Sequence, residues 1–347
     1  MPEQEKRLMC VRKGSMHGIV LACATLVAMH AAAAADKVKF GLLRVPQALF
    51  VGIEKGYFAA NGIDVEPVFF RSGAELVPAL ATGQIELAAT SPGAALYNAL
   101  GQGVNAKIVA DYFVPGPTQP GGDPNAVAIR TDLLDSGKVK TPADVKGMTM
   151  AITARGQITD LFGSMFLQKG GLSEKDVRVV TMPYPDMLAA LQGKAIEVAV
   201  AIDPQITIAE DEGIARRFVK LSDLMPGLNL GVIIYGERMS TTDRELGMRF
   251  MAAYHKANLY LRRRLAESGG RDEIADIFQK FLPIENKALY QKMGIGVGNE
   301  DLSVNVNGTY GLSWQMQQYR DRGLIQSAPD LAKVVDNSFA QAAAKHE

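Results

Sequence analysis

The chain has 347 residues, and its 37 basic and 37 acidic side chains give a formal net charge of zero. Because 48% of the residues are hydrophobic and 21% are charged, the composition excludes a disordered chain and provides for a sizeable core. The length indicates about two domains. The lack of a basic excess argues against nucleic-acid binding.

The N-terminus has the layout of a secretory leader. Basic side chains lie between residues 6 and 13, an apolar run follows at residues 19–28, and small residues at 31–35 precede Asp36. We therefore predict a signal peptide over residues 1–35, cut near Ala35, and export of the remaining chain. The apolar run is shorter than the roughly 20 residues of a membrane span. Lipidation of Cys23 is an alternative that this pattern leaves open.

Few nucleophilic or metal-binding side chains remain after the leader. Cys10 and Cys23 both lie inside it, and the only histidines beyond it are His255 and His346. A histidine-based triad or a zinc site therefore has almost nothing to be built from. We expect no catalytic residues, no metal and no cofactor.

Two segments of the chain follow the same order of predicted elements. Residues 85–88 (IELA) reappear as residues 196–199 (IEVA), 111 positions later. In each copy a strand is followed by a helix that ends at a Lys-Gly pair (residues 55–56 and 169–170), where glycine can adopt the left-handed conformation. A second strand, a second helix and a third strand follow. This alternation predicts βαβ units, and therefore an α/β fold with two similar lobes whose sheets are mainly parallel.

Two linkers are predicted to connect the lobes. The Pro/Gly-rich residues 115–124 lead to a strand at 126–130, which opens the second lobe. A strand at 231–235 then returns the chain to the first lobe. The predicted lobes are residues 36–124 with 230–347, and residues 125–229.

From residue 240 onward the pattern is helical. Thr242 and Glu245 fit a capping box at the start of a helix over residues 244–267. Further helices are predicted over residues 271–280, 287–293, 309–322 and 329–344.

Several motifs resemble a known family, the periplasmic solute-binding proteins of ABC importers, in the branch that handles nitrate, sulfonates and taurine. The motifs are residues 52–58 (GIEKGYF), 61–65 (NGIDV), 79–86 (ALATGQIE), 142–148 (PADVKGM) and 190–204. The resemblance implies a type II binding-protein fold with a ligand cleft between its lobes. It further implies a monomer that resides in the periplasm and delivers its solute to a membrane permease driven by an ATPase.

The candidate ligand-binding residues follow from the sheet architecture. In open parallel sheets a ligand sits outside the carboxyl ends of the strands, where loops lead into helices. The loops at these positions contain Arg44, Pro46, Gln47, Arg71, Ser72, Gly73, Thr90, Ser91, Arg155, Gly156, Gln157, Thr159, Tyr184 and Asp203.

The three arginines among them predict an anionic ligand, because a guanidinium suits carboxylate or sulfonate groups. Arg155 is the leading candidate, since Gly156 beside it lets the backbone approach a ligand. The alternative is that Arg44, Arg71 and Arg155 pair with acidic groups between the lobes or lie in solvent. Aromatic side chains near strand ends are consistent with either a flat ligand or ordinary packing; they are Phe50, Tyr112, Phe113 and Tyr184.

These observations predict the substrate-binding component of an ABC importer that captures a small organic anion, a sulfonate or a carboxylate with aromatic acids included. Two other functions use such an architecture. One is a periplasmic sensor subunit, and the other is a metabolite enzyme on the same fold.

Overall fold

The computed structural model describes residues 34–116 and 119–345. Residues 1–33 of the predicted leader, with Cys10 and Cys23, and the terminal His346 lie outside the described residues. Within the described ranges, no helix combines the length and apolar character that a membrane crossing requires.

The first lobe is built around a five-stranded sheet. The strand that comes last in sequence, β10, runs antiparallel to both of its neighbours. The other four strands share one direction. In sheet order the strands are β2 (Ile63–Phe70), β1 (Asp36–Leu43), β3 (Leu87–Thr90), β10 (Gly231–Gly236) and β4 (Ala106–Phe113).

The second lobe repeats this plan. Here β5 is the antiparallel strand, and it lies between β8 and β9. In sheet order the strands are β7 (Arg178–Thr181), β6 (Thr149–Ile152), β8 (Val198–Ile202), β5 (Asn125–Arg130) and β9 (Ala215–Lys220). The α/β class and the mainly parallel sheets are confirmed. The chain crosses between the sheets after β4 and again after β9.

The glutamates of the sequence repeat have the same role in both lobes. The Glu86 carboxylate accepts a hydrogen bond from the backbone N–H of Lys39 at 2.7 Å, and Glu197 accepts one from Thr149 at 2.9 Å. Each glutamate also donates its own backbone N–H to the carbonyl of the same partner residue. The repeated motif therefore ties the start of the third strand to the first strand beside it.

Helices cover both sheets, and the longest of them packs on the first. Phe250 of this helix lies 5.8 Å from Phe40 and 6.1 Å from Tyr235, ring centre to ring centre, in edge-to-face contacts. The first lobe has α1 (Ala48–Glu54), α2 (Tyr57–Ala60), α3 (Gly73–Ala81) and α4 (Ala94–Gly101). The second has α5 (Thr131–Asp135), α6 (Ile158–Lys169), α7 (Tyr184–Gln192), α8 (Gln205–Asp211) and α9 (Leu221–Leu224). The C-terminal helices are α10 (Arg244–Ala266), α11 (Gly270–Gln279), α12 (Leu289–Lys292), α13 (Leu312–Asp321), α14 (Leu331–Val334) and α15 (Ser338–Ala344).

One predicted helix end is wrong in detail. Gly56 is left-handed with φ +69°, as expected, but in the second copy the left-handed residue is Gly171, with φ +68°. Gly170 is required for another reason, because a Cβ there would lie 2.6 Å from the backbone of Pro142 and Ala143. Gly171 therefore provides the left-handed turn, and Gly170 allows the close contact with residues 142–143.

The predicted helix over residues 329–344 is interrupted. Val335 forms a β-bridge with Ile108 of β4, and the N–H of Asp336 donates to the Ile108 carbonyl at 2.8 Å. Because β4 is an edge strand with unpaired backbone groups, these contacts compete with the helix at this point. The segment is therefore divided into α14 and α15.

Candidate functional site

A small cavity, here called the inner cavity, lies between the two lobes. Its volume is about 30 Å³, room for about two water molecules, so the lobes are closed on each other. It lies at the carboxyl ends of β1, β3, β6 and β8, as the sheet rule predicts. It is lined by Leu43, Val45, Gly73, Thr90, Ser91, Tyr112, Asn125, Thr153, Gln157, Ile158, Tyr184, Ile202 and Leu230.

A β-bulge directs Tyr112 into this cavity. Gly231 pairs with Phe113 and Val232 pairs with Asp111, which leaves Tyr112 as the extra residue of β4. A Cβ at Gly231 would overlap the Tyr112 ring, so glycine makes room for it. Burial raises the pKa of Tyr112 to about 12, and the hydroxyl is therefore neutral at physiological pH.

The polar groups of the inner cavity are neutral. Asn125 is 4% exposed, and its side-chain Nδ2 has no hydrogen-bond partner in the part of the chain that the structure describes. Burial, and the proximity of Tyr112, raise the pKa of Tyr184. The described lining includes no charged residue, cysteine or histidine. The inner cavity can therefore donate and accept hydrogen bonds but provides no charge.

Positive charge lies next to it, in what we call the outer pocket. This pocket has a volume of about 350 Å³ and shares three of its residues with the inner cavity. The guanidinium of Arg44 lies 4.1 Å from the centre of the Phe69 ring, a cation–π contact that orients it. The pocket is lined by Leu43, Arg44, Val45, Phe69, Phe70, Arg71, Tyr184, Pro185 and Gln205.

Arg71 also contacts the opposite lobe. Its Nη2 lies 3.2 Å from both carboxylate oxygens of Asp186 on α7, and the two side chains are 65% and 51% exposed. This contact is a pairing with an acidic group of the other lobe, which the sequence left as an alternative to ligand binding for the three arginines. Because water screens so exposed a pair, its guanidinium remains accessible to a ligand in the outer pocket.

The structure brings half of the predicted residues to these two cavities: Arg44, Arg71, Gly73, Thr90, Ser91, Gln157 and Tyr184. Pro46 and Gln47 are buried and line neither cavity. The Ser72 hydroxyl donates a hydrogen bond to the Glu75 carboxylate at 3.1 Å. Thr159 acts indirectly, because its hydroxyl oxygen accepts the backbone N–H of Thr153, a lining residue, at 2.9 Å.

The other predicted residues make contacts that tie the structure together. Arg155 pairs with Asp160 at 3.1 Å and with Glu174 at 2.5 Å, away from both cavities. The carbonyl of Gly156 accepts the backbone N–H of Ala94 from the first lobe at 2.8 Å.

Asp203 is buried and forms an ion pair with Arg217. It also accepts the backbone N–H of Gly294 at 2.7 Å and that of Thr207 at 3.0 Å. Burial raises the pKa of this carboxyl, against the opposing effect of Arg217. Its bonding capacity is therefore used within the protein.

Sequence reasoning missed Asn125 and Thr153. Asn125 is the first residue of β5, whereas the rule for parallel sheets points to residues that follow strands. Because β5 runs antiparallel, its beginning lies at the edge where its neighbours end. Thr153 could have been found, since it directly follows β6.

Solved structures similar to this chain share its fold. The alkanesulfonate-binding protein SsuA from Xanthomonas axonopodis pv. citri, bound to MOPS, is 18% identical over 86% of this chain and 97% of that chain, with a TM-score of 0.68. The periplasmic nitrate-binding protein NrtA from Synechocystis PCC 6803 is 16% identical over 90% and 89%, with a TM-score of 0.70. DszB, a desulfurization enzyme, in a mutant complex with biphenyl-2-sulfinic acid, is 16% identical over 90% and 99%, with a TM-score of 0.62.

No curated protein matches the chain. A family model does, and its match includes both lobes. The model described as NMT1/THI5 like matches residues 47–264. The chain therefore belongs to the NMT1/THI5-like family.

Proposed function

We propose that the protein is the periplasmic substrate-binding component of an ABC importer. It captures a small organic anion between its lobes, as a monomer, and delivers it to a membrane permease and its ATPase. Family membership and the fold shared with sulfonate- and nitrate-binding proteins support this proposal. The observation that carries it is the interlobe cavity, in which the Asn125 Nδ2 has no hydrogen-bond partner among the described residues, next to a pocket with two arginines.

The two cavities would bind different parts of one ligand. The uncharged body would lie in the inner cavity, where Asn125 donates a hydrogen bond and the hydroxyls of Tyr112 and Tyr184 are neutral. The acidic group would lie in the outer pocket beside Arg44 and Arg71. Because the inner cavity holds only about 30 Å³ here, the lobes must separate to admit the ligand and then close around it less completely than in this arrangement.

An enzyme on this fold is the competing proposal, since DszB is a structural neighbour. Acid–base and nucleophilic chemistry need a group whose pKa lies near the working pH or an activated nucleophile. The residues that line the inner cavity are neutral polar and apolar ones, and burial moves the pKa of Tyr112 away from neutrality. We therefore propose binding without chemistry, with the ligand recovered unchanged.

A thermal-shift screen would identify the ligand class. The purified protein, beginning at Asp36, is mixed with nitrate, aliphatic sulfonates, aliphatic carboxylates and aromatic carboxylates, and with neutral sugars and small cations for comparison. A ligand that binds the native state raises the melting temperature by mass action. Organic acids should produce the shift. If only neutral sugars or cations did so, the proposed anion specificity would be wrong.

Calorimetric titration of two variants then tests whether the inner cavity and the outer pocket both bind the ligand. Asn125→Leu and Arg44→Gln should each weaken the best ligand about tenfold or more, because each removes one hydrogen bond or charge contact. Asn125→Leu should leave the melting temperature of the free protein unchanged or higher, since Nδ2 has no partner to lose within residues 34–116 and 119–345. Arg216→Gln, on an exposed pair with Asp135, is the control and should bind normally.

Transport and sensing are distinguished by reconstitution. In proteoliposomes that contain an ABC permease and its ATPase from the same organism, the loaded protein should stimulate ATP hydrolysis. A protein that instead bound a membrane kinase and left the ATPase unaffected would be the sensor subunit.

A further inference from the structure

A cluster of charged side chains joins the lobes away from both the inner cavity and the outer pocket. We call it the latch; it consists of Arg322 from the loop after α13, and of Arg155, Asp160 and Glu174 from the second lobe. The Nη2 of Arg322 donates to Asp160 at 2.7 Å and to Glu174 at 2.5 Å. Arg155 contacts the same two carboxylates from within the second lobe.

The latch is more deeply placed than the other ion pairs between the lobes. The side chain of Asp160 is 2% exposed and that of Arg322 is 22% exposed. The Arg71–Asp186 pair is exposed on both sides, as is much of the pair between Lys292 and Asp211. Because water screens exposed pairs, the Arg322 contacts contribute more to closure than these two exposed pairs do.

The latch is connected to the ligand site through a short loop. The Asp160 carboxylate accepts the backbone N–H of Gly156 at 2.8 Å, and the Gly156 carbonyl accepts the N–H of Ala94 across the cleft. The next residue, Gln157, lines the inner cavity. Asp160 therefore holds the loop that carries Gln157 and, at the same atom, receives Arg322 from the other lobe.

The charges of the latch balance only when the lobes are closed. Arg155, Asp160 and Glu174 belong to the second lobe and together carry one net negative charge. Arg322 brings one positive charge from the first lobe. Opening the cleft separates these opposite charges and leaves Asp160, a buried carboxylate, with one arginine fewer.

From these contacts we infer that Arg322 is a positioning residue of the ligand site, which stabilises the closed arrangement and sets Gln157 through Asp160. Its effect on ligand affinity rests on the proposed function. Its effect on closure does not, because it is built from contacts that the protein makes without a ligand.

Closure can be measured directly by spin-label distances. The chain from Asp36 onward has no cysteine, so Gln102→Cys and Gln192→Cys can be labelled specifically. Both residues are exposed, at the distal ends of α4 and α7, whose first residues face the cleft. The label-to-label distance therefore reports the angle between the lobes.

In this doubly labelled background, Arg322→Gln should shift the distance distribution from closed toward open. Arg216→Gln removes the same charge from a pair inside the second lobe and should leave the distribution unchanged. Arg322→Lys, which keeps the charge, should restore part of the closed population. Identical distributions for wild type and Arg322→Gln, in folded proteins with equal circular dichroism, would overturn the inference.

Salt and a second substitution separate the electrostatic role from packing. Raising sodium chloride from about 0.05 to 0.5 M should open the wild type and have a smaller effect on Arg322→Gln, because the screening length falls severalfold. In a Glu174→Gln background, Arg322→Gln should have a smaller effect than alone. The latch would be contradicted if the effects of the two substitutions on the distance distribution were fully additive and salt opened wild type and Arg322→Gln equally.

With the best ligand of the screen, Arg322→Gln should lower the apparent affinity about tenfold, since only closed molecules bind tightly. A failed screen would remove the proposed function while leaving the distance measurement decisive for the latch. Normal affinity in an opened variant would show that Arg322 has no role in binding.

Discussion

Asp111 is a fully buried carboxyl one residue before Tyr112 of the inner cavity. It accepts two hydrogen bonds from Asn299, one from the backbone N–H at 2.9 Å and one from Nδ2 at 2.7 Å. Burial raises its pKa from 3.8 to about 7; Asp301 adds to the rise, whereas Asn299 and Arg262 oppose it. The native state therefore binds a proton here at pH values where the unfolded chain has released it.

This shift makes stability depend on pH in a defined direction. Because the folded pKa is the higher one, the contribution is complete below about pH 4 and is lost as the pH rises through about 7. Asp111→Asn removes the titration. We expect wild type to lose up to about 4 kcal/mol relative to this variant between pH 4 and pH 8.

Urea unfolding of both proteins across this range would measure the difference, in which the contributions of all other carboxyls cancel. The amide of the variant can still pair with Asn299, whose side chain can rotate. Parallel pH profiles would show that Asp111 does not titrate in this range.

At the scale of elements, the start of α10 differs from its predicted form. The pattern indicated Thr242 as the cap, but the side chain of Asp243 accepts the N–H of Leu246 at 3.1 Å. Residues Arg238–Thr242 form a π-helical turn before it, and the Thr242 hydroxyl donates back to the Arg238 carbonyl. The extra turn displaces the cap by one residue, which sequence spacing does not reveal.

Removal of this cap should destabilise the first lobe. Asp243→Ala leaves one helix-start N–H without its acceptor, and we expect a loss of about 1 kcal/mol in the free energy of unfolding. Thr242→Ala is the matched control and should cost less. Thermal unfolding of both variants measures the two losses of stability. A larger loss for Thr242→Ala would show that Thr242 is the cap.

At the scale of the whole molecule, closure depends on glycines where the lobes meet. A Cβ at Gly93 of the first lobe would lie 2.7 Å from the Gly156 carbonyl and 3.0 Å from Gln157 Nε2. Both atoms belong to the second lobe. A methyl group there is therefore compatible with each lobe alone but not with the two lobes closed.

Gly93→Ala should consequently open the protein without unfolding it. We expect the radius of gyration from small-angle X-ray scattering to increase, and ligand affinity to fall, while the melting temperature of the free protein changes little. Gly116→Ala is the control, because a Cβ there makes only an ordinary 3.5 Å contact with Gln119. An unchanged radius for Gly93→Ala would mean that the lobes can close around a methyl group.

The pattern of the chain determined much of this fold. The alternation of strands and helices, the repeated motif around residues 86 and 197 and the returning strand near residue 231 were each predicted from a short stretch of sequence, although their bonding partners lie far away along the chain. These features could be predicted because side-chain periodicity and the residues of a turn are properties of a short stretch of chain. The lobe boundaries at 124/125 and 229/230, and cleavage near Ala35, stay predictions.

The site itself was decided by tertiary structure. The rule for strand ends found Thr90 and Tyr184, but it missed Asn125, whose strand runs the other way. Arg155 has the right residue type and loop, yet Asp160 and Glu174 hold it away from both cavities. A residue's partner across two lobes depends on how the sheets face each other, and no spacing within one lobe encodes that.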